Sequence, residues 1–399
     1  MKQLQRILCL DDFEAAARDF LPRQIFTYIV EAAETRSTLA GNRAAFREWW
    51  FVPRILTNVS GGSQKMTLLG REFASAFGIA PMGISALSAY RGDLVLAAAA
   101  GEAGIPMIMS SSSLIRLEDL AREHPHAWFQ AYLTGDSDEI RAMVARVARA
   151  GFTHFVVTVD SQVSPNREHY VRGGFSSPLR PNLNLLWEGI THPSWTFGTF
   201  LRTLLRHGMP HFENNQAHRG PPILSTNVTR EWSERGRLDW THLAMIREMW
   251  KGPLIVKGIL HVDDARRARD IGAEGIILSN HGGRQLDGAI APLRVLPEVV
   301  AACPGYPVML DGGVRRGTDV LKALALGAAF VWIGRPFNYA ATIGGHGGVR
   351  HAIKLMQAEI ERDMMMLGIR ALDELGPHAV RRADATGFAP HRGGSPAMQ

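Results

Sequence analysis

Short apolar runs alternate with Ala-rich amphipathic segments through most of this chain, the pattern left by repeated strand-helix units that build a parallel sheet. The runs span Phe77 to Met82, Pro106 to Ser110, Trp128 to Leu133, Phe155 to Asp160, Leu254 to Gly258, Gly275 to Asn280, Pro307 to Asp311 and Phe330 to Gly334. Several follow a glycine-alanine pair, as at Ala103-Gly104, Ala150-Gly151, Gly272-Ala273 and Gly327-Ala328, where glycine can end the preceding helix. Eight units predict an α/β fold closed as a (β/α)8 TIM barrel over residues 71–374.

Residues 1–70 read as a helical extension, with Asp11 capping a helix through Phe20 and Pro22 opening a second that reaches Glu34. After strand four, residues 161–238 break the repeat with a stretch rich in Pro, Asn, Trp and His. Such long interruptions of a compact domain are usually functional lids, and this one falls on the side where barrels carry their active sites. Residues 375–399 show little apolar periodicity and predict a mobile tail.

A hydrophobic share of 46% and a charged share of 21% supply an ample core and exclude global disorder. Two cysteines, Cys9 and Cys303, offer neither a disulfide framework nor a metal pattern and fit a reducing, cytoplasmic compartment. No signal peptide and no uninterrupted transmembrane run is read. The net charge of +6 is dispersed along the chain, which argues against nucleic acid and leaves open peripheral contact with the acidic inner face of a membrane. Dinucleotide, P-loop, zincin and serine-hydrolase motifs are absent.

In such barrels the chemistry sits at the C-terminal strand ends. Here those ends carry Gly83, Ser110, Gln130, Tyr132, Thr158, Asp160, Lys257, Ser279, His281, Asp311 and Arg335, a polar set that apolar packing does not explain. Strand six runs into Ser279-Asn280-His281-Gly282-Gly283-Arg284: a titratable base, two glycines for close backbone approach, then a guanidinium that suits an acid substrate. Strands seven and eight give Asp311-Gly312-Gly313-Val314-Arg315 and Gly334-Arg335, where these barrels commonly bind phosphate. Lys257 admits two functions: an imine-forming lysine of a barrel lyase or isomerase, or a positive charge held against a cofactor that becomes anionic.

The segments SNHGGRQLDG, LIVKGI, DGGVRRGTDVLKALALGA and IGRP together resemble the FMN-dependent α-hydroxy-acid oxidase and dehydrogenase family, from about Asp11 to about Leu375. HPSW and RHGMP in the insertion are most similar to its mandelate and lactate dehydrogenase branches. The resemblance implies oxidation of an (S)-2-hydroxy acid to the 2-oxo acid with His281 as base and Asp160 orienting it. It implies that Arg284 and Tyr28 bind the carboxylate, that Arg167 adds a further mobile positive group on the substrate side, and that Tyr132 hydrogen-bonds near the substrate oxygen, with Ser112 at the substrate rim. FMN would lie against Pro81, Met82 and Gly83, with Lys257, Ser110, Gln130, Thr158 and Ser279 on its ring or chain. Its phosphate would sit on Gly313, Arg315, Gly334 and Arg335, with Asp311 on the ribityl hydroxyls. A homotetramer is also implied.

Two departures shape the expected substrate and acceptor. Ser112 stands where glycolate oxidase has a bulky aromatic, and Gly83 stands where many oxidases have alanine. A larger pocket, covered by apolar insertion side chains, predicts a bulky acid such as mandelate over glycolate. The insertion's likeness predicts a quinone-like acceptor, with oxygen-using oxidase or monooxygenase chemistry as the alternative. A barrel serving only as a binding scaffold is disfavoured by the intact His, Arg, Lys, Asp and Tyr set.

Overall fold

The computed structural model describes residues 4–225, 233–384 and 387–388. The eight expected strands form one parallel sheet: β1 (Phe77–Ile79), β2 (Ile108–Ser110), β3 (Trp128–Ala131), β4 (Phe155–Thr158), β5 (Leu254–Ile259), β6 (Gly275–Leu278), β7 (Val308–Asp311) and β8 (Phe330–Ile333). Their order is β1-β8-β7-β6-β5-β4-β3-β2, and a parallel bridge between Ile79 and Met107 joins the two ends into a barrel.

Side-chain alternation along the strands divides the core in two. Ile108, Trp128, Val156, Ile255, Ile277, Met309, Phe330 and Trp332 point inward and fill the barrel. Their neighbours, Phe129, Phe155, Val157, Val256, Ile276 and Leu310 among them, point outward against the helices. A hairpin, Met66–Leu68 with Arg71–Phe73, closes the lower end by inserting Leu68 and Phe73 into the inner layer. The lower half is therefore packed solid, and the polar strand ends gather at the other mouth.

The extension departs from the purely helical reading. Helices α1 (Leu10–Phe20), α2 (Arg23–Val30) and α3 (Ser37–Arg47) are followed by extended chain, including Trp49–Phe51. Asp11 does not cap α1; Cys9 holds that position and Asp12 reaches back to the amides of Leu8 and Cys9 at 2.8 and 3.2 Å. Asp11 instead pairs with Arg43 at 2.7 Å. α2 ends at Val30, short of Glu34, because the chain there turns its carbonyls toward two arginines of the barrel mouth.

The expected tail is partly structured. Val380–Asp384 pairs antiparallel with Trp49–Phe51, which ties the end of the barrel domain to the extension; residues 389–399 lie outside the described residues. The insertion folds in its described part into helices Leu183–Thr191 and Pro193–Trp195, a π-turn Thr196–Leu201 and a helix Arg202–His207.

The turn after β7 and α3 meet at a backbone contact. Gly313 has φ +89°, and a Cβ there would lie 2.4 Å from the Asn42 carbonyl oxygen. Gly313→Ala is therefore expected to cost about 2 kcal/mol or more, from left-handed strain and from displacing α3. The check is a lowered urea midpoint at unchanged slope; an unchanged midpoint would show that α3 yields freely.

Candidate active site

His281 follows β6 with φ +60°, a conformation costly for a residue with a side chain and so one that the surroundings must hold. The Ser279 hydroxyl accepts the His281 N–H at 3.0 Å. Asn280 and Asn42 exchange amide hydrogen bonds at 2.7 and 2.8 Å, locking the turn to α3. So held, the imidazole reaches across the mouth: Nδ1 lies 2.8 Å from Asp160 Oδ1 and Nε2 3.1 Å from the Tyr132 hydroxyl. A carboxylate only accepts, so Nδ1 carries the proton and Nε2 presents the lone pair, which Tyr132 meets with its O–H. Gly258 makes room for this, since a Cβ at its φ of +108° would come within 2.7 Å of Asp160 Cβ.

Burial pulls the His281 imidazole below the ordinary histidine range and outweighs the opposing pull of Asp160. Asp160 alone would favour the protonated imidazole; burial is the stronger effect, and the resting imidazole is neutral. Burial would raise the Asp160 carboxyl, but His281 and Lys257 hold it below the usual range. The Tyr132 phenol is pushed up, first by burial and then by Asp160, so it remains a donor.

Sixteen of the twenty residues singled out from sequence line one cleft: those named below, apart from four directly behind its wall. The four are Asp160 behind His281, Ser279 beneath Lys257, and the pair Ser110 and Gln130. Lys257 Nζ lies 2.7 Å from the Asp311 carboxylate and donates to Ser279 at 2.7 Å, and Ser279 donates in turn to Asp311 at 2.7 Å. That is the setting of a fixed positive charge and not of an amine nucleophile. Ser110 donates to Gln130 Oε1 at 3.0 Å, while Gln130 Nε2 and Thr158 Oγ1 are buried without a hydrogen-bond partner among the described residues.

Beyond β7 and β8, Gly313, Arg315, Gly334 and Arg335 form one end of the cleft. Arg315 donates to the Val314 carbonyl at 2.9 Å and faces Asp11 at 3.4 Å. Arg335 donates to the carbonyls of Ile29, Gly282 and Glu31 at 2.9, 3.0 and 3.1 Å. Burial, then the charge of Arg284 beside it, pushes Arg335 down to about 10. At the middle, Pro81, Met82 and Gly83 follow β1 along the wall.

Arg284 donates to the carbonyls of Tyr28, Ile29 and Glu31 at 2.9 to 3.3 Å and lies 5.0 Å over the Tyr28 ring. Arg167 donates to the Arg284 carbonyl at 2.8 Å and to Gln285 at 2.6 Å. Ser112 faces the cleft beside Gly83, where an added Cβ would meet Tyr28 Oη at 2.8 Å and Ser112 Cβ at 3.0 Å.

Sequence reasoning missed three groups. Tyr170, from the insertion, accepts a hydrogen bond from Arg284 and packs with Tyr28 and Phe175. Gln285, inside the strand-six motif, donates to the Asp160 carbonyl at 3.0 Å. Arg235, at the far end of the insertion, sits 4.8 Å over the Tyr132 ring. Gln285 was legible in the motif; the other two depend on where the insertion returns. No apolar insertion side chain lines the cleft among the described residues, so the expected apolar cover is not what the rim consists of.

Six cations, Arg167, Arg235, Lys257, Arg284, Arg315 and Arg335, line this cleft against one carboxylate, Asp311. An imbalance of that size is sustained by anionic ligands. Fold and cleft thus define a class: a barrel enzyme that holds strongly anionic ligands against a buried neutral base. The sequence pattern of FMN-dependent dehydrogenases matches residues 17–382, and the chain belongs to that family of flavin oxidoreductases. It is 34% identical to (S)-mandelate dehydrogenase of Pseudomonas putida over 97% of each protein. It is 36% identical to an L-lactate dehydrogenase of Caulobacter sp. (strain K31), over 94% of this chain and 98% of that one. Among solved structures, the monotopic membrane protein (S)-mandelate dehydrogenase matches with a TM-score of 0.85 at 34% identity, over 95% of this chain and 100% of that one. A mandelate oxidase variant matches with a TM-score of 0.75 at 32% identity, over 92% and 96%. The cleft fits FMN on its own terms, since the unpartnered Gln130 and Thr158 atoms and the arginine end offer what a polar ring and a phosphate require.

The electrostatics set a pH dependence. With His281 acting as base in its neutral form, flavin reduction should be full above its pKa and fall as pH drops through a value below the ordinary histidine range. Asp160→Asn removes the charge that raises His281, so the acid limb should move to lower pH. The rate should fall roughly 10- to 1000-fold, the worth of one to three pKa units of imidazolium stabilisation. Anaerobic reduction rates against pH test this; a limb that moves upward would refute the assignment.

Proposed function

We propose that this chain oxidises a bulky (S)-2-hydroxy acid to the 2-oxo acid, with His281 as the base. The observation that carries the reading is the neutral His281, oriented by Asp160 and facing an arginine-lined cleft. FMN, when bound, accepts the two electrons that leave the substrate. Pro81 to Gly83, Ser110, Gln130, Thr158, Lys257 and Ser279 would hold its ring and chain. Gly313, Arg315, Gly334, Arg335 and nearby amides would hold its phosphate, with Asp311 on the ribityl hydroxyls.

On the substrate side, Arg284 and Tyr28 bind the carboxylate and Arg167 adds charge behind it. The substrate oxygen takes the place of the Tyr132 hydroxyl at His281 Nε2, and Tyr132 turns its O–H to that oxygen. Nε2 receives the hydroxyl proton, the hydrogen on the reacting carbon leaves with the electron pair that FMN would accept, and Asp160 stabilises the imidazolium. Small side chains at Gly83 and Ser112 leave room for a large substituent, and two of the similar proteins are by name (S)-mandelate dehydrogenases.

A quinone-like acceptor at a membrane surface suits the insertion. Leu183, Leu186, Trp187, Ile190, Phe197 and Leu205 are exposed large apolar side chains on consecutive helical segments, with Arg202 and Arg206 among them. Among the described residues no helix is long and apolar enough to cross a membrane, so contact would be with one face.

Anaerobic flavin bleaching by mandelate, lactate and glycolate, followed by reoxidation with a quinone or oxygen, tests the substrate and acceptor together. Mandelate should outpace glycolate and quinone should outpace oxygen; the reverse order in either arm rejects that half. His281→Ala should retain FMN and reduce it about 100- to 10,000-fold more slowly. For the membrane surface, Trp187→Ser with Phe197→Ser should lower co-sedimentation with anionic vesicles while mandelate still bleaches the flavin; undiminished binding would sink the assignment.

A further inference from the structure

With the carboxylate on Arg284 and the substrate oxygen at His281 Nε2, the substituent is left the wall of Gly83 and Ser112. That wall is not apolar. Ser112, 7% exposed, donates its hydroxyl proton to Asn215 Oδ1 at 3.1 Å. The segment that carries Asn215 is held against the loop after β2: Asn214 accepts from the Leu117 amide at 2.9 Å and donates to the Ile115 carbonyl at 2.7 Å, and the Glu213 amide donates to the Ser113 carbonyl at 3.3 Å. The insertion thereby clamps the loop after β2 and commits the one proton of Ser112 away from the cleft. A hydroxyl has one donor and two lone pairs, so what Ser112 turns to the substrate is an acceptor.

We propose that Ser112 and Asn215 together read a hydrogen-bond donor on the substrate side chain, so that the preferred 2-hydroxy acid ends in a hydroxyl or amine. Ser112 is the contacting group and Asn215 the positioning residue that sets its polarity. The inference rests on the 2-hydroxy-acid reading above and narrows it. It also replaces bulk alone with a chemical requirement: a substituent that cannot donate leaves the Ser112 lone pairs dry, whereas one that can donate satisfies them.

The test uses the FMN-loaded full chain and matched hydroxy- and fluoro-substituted mandelates at the 3 and 4 ring positions, with unsubstituted mandelate as reference. Fluorine is smaller than hydroxyl and cannot donate, so size alone favours the fluoro acid. The readout is the ratio of second-order rate constants for anaerobic flavin reduction, hydroxy over fluoro. The ratio in Ser112→Ala supplies the baseline for ring electronics. In the unmodified protein it should exceed that baseline by roughly twofold to tenfold at one of the two positions, the worth of one neutral hydrogen bond. Asn215→Asp, which still accepts from Ser112, should keep the excess. Asn215→Leu, which frees the Ser112 proton to turn into the cleft, should bring the ratio to the baseline or below it. A loss of stability in any variant would slow both acids alike and leave the ratio intact. Equal ratios in all four proteins, with mandelate still bleaching the flavin, would overturn this inference and leave the 2-hydroxy-acid reading standing. Failure of every 2-hydroxy acid to bleach it would overturn both.

Discussion

Arg284 and Arg335 lie side by side at the barrel mouth and both donate to the carbonyl oxygens of Ile29 and Glu31. Two guanidiniums buried together repel, and neither sheds its charge readily, so backbone dipoles must offset them until anions arrive. That requirement explains why α2 stops at Val30: a further helical turn would spend those carbonyls on its own amides. The N-terminal extension is consequently part of the cleft and not a preface to it. Loss of the α2 carbonyls would leave Arg335 with the Gly282 carbonyl and Arg284 with the Tyr170 hydroxyl as their hydrogen-bond partners among the described residues, and would free Tyr28 from the cleft wall.

The base depends on the same economy of burial. Asp160 alone would make His281 a better proton holder, but the cleft that excludes water also carries Lys257 and Arg167, and together with burial they win. The result is an imidazole that is neutral at neutral pH and lies beside a carboxylate able to offset the charge of an added proton. Gly258 and the left-handed backbone at His281 are the geometric cost of bringing β4 and β6 side chains into that contact.

Insertion residues reach the site from three directions without covering it with apolar bulk. Tyr170 meets Arg284, Arg235 lies over Tyr132, and Asn215 holds Ser112. Each acts through a residue of the barrel mouth, so the insertion can tune charge and hydrogen-bond polarity while its own apolar helices face outward.

Short apolar runs spaced by amphipathic segments determined the barrel and its eight strands, because a parallel strand covered on both faces is apolar along its whole length and each crossover helix on one side only. The polar strand ends likewise foretold which residues gather at one mouth, His281 with Asp160, Lys257, Arg284 and the arginine end, since barrel topology forces such positions together. What the sequence could not determine were contacts between segments far apart along the chain. The capture of α2 carbonyls, the pairing of Val380–Asp384 with Trp49–Phe51, and the hold of Asn215 on Ser112 leave no local periodicity. Nor could it weigh burial against a neighbouring carboxylate at His281, because desolvation is a property of the folded surroundings and not of the residues that touch the base. Those distances and that dryness exist only once the chain has closed on itself.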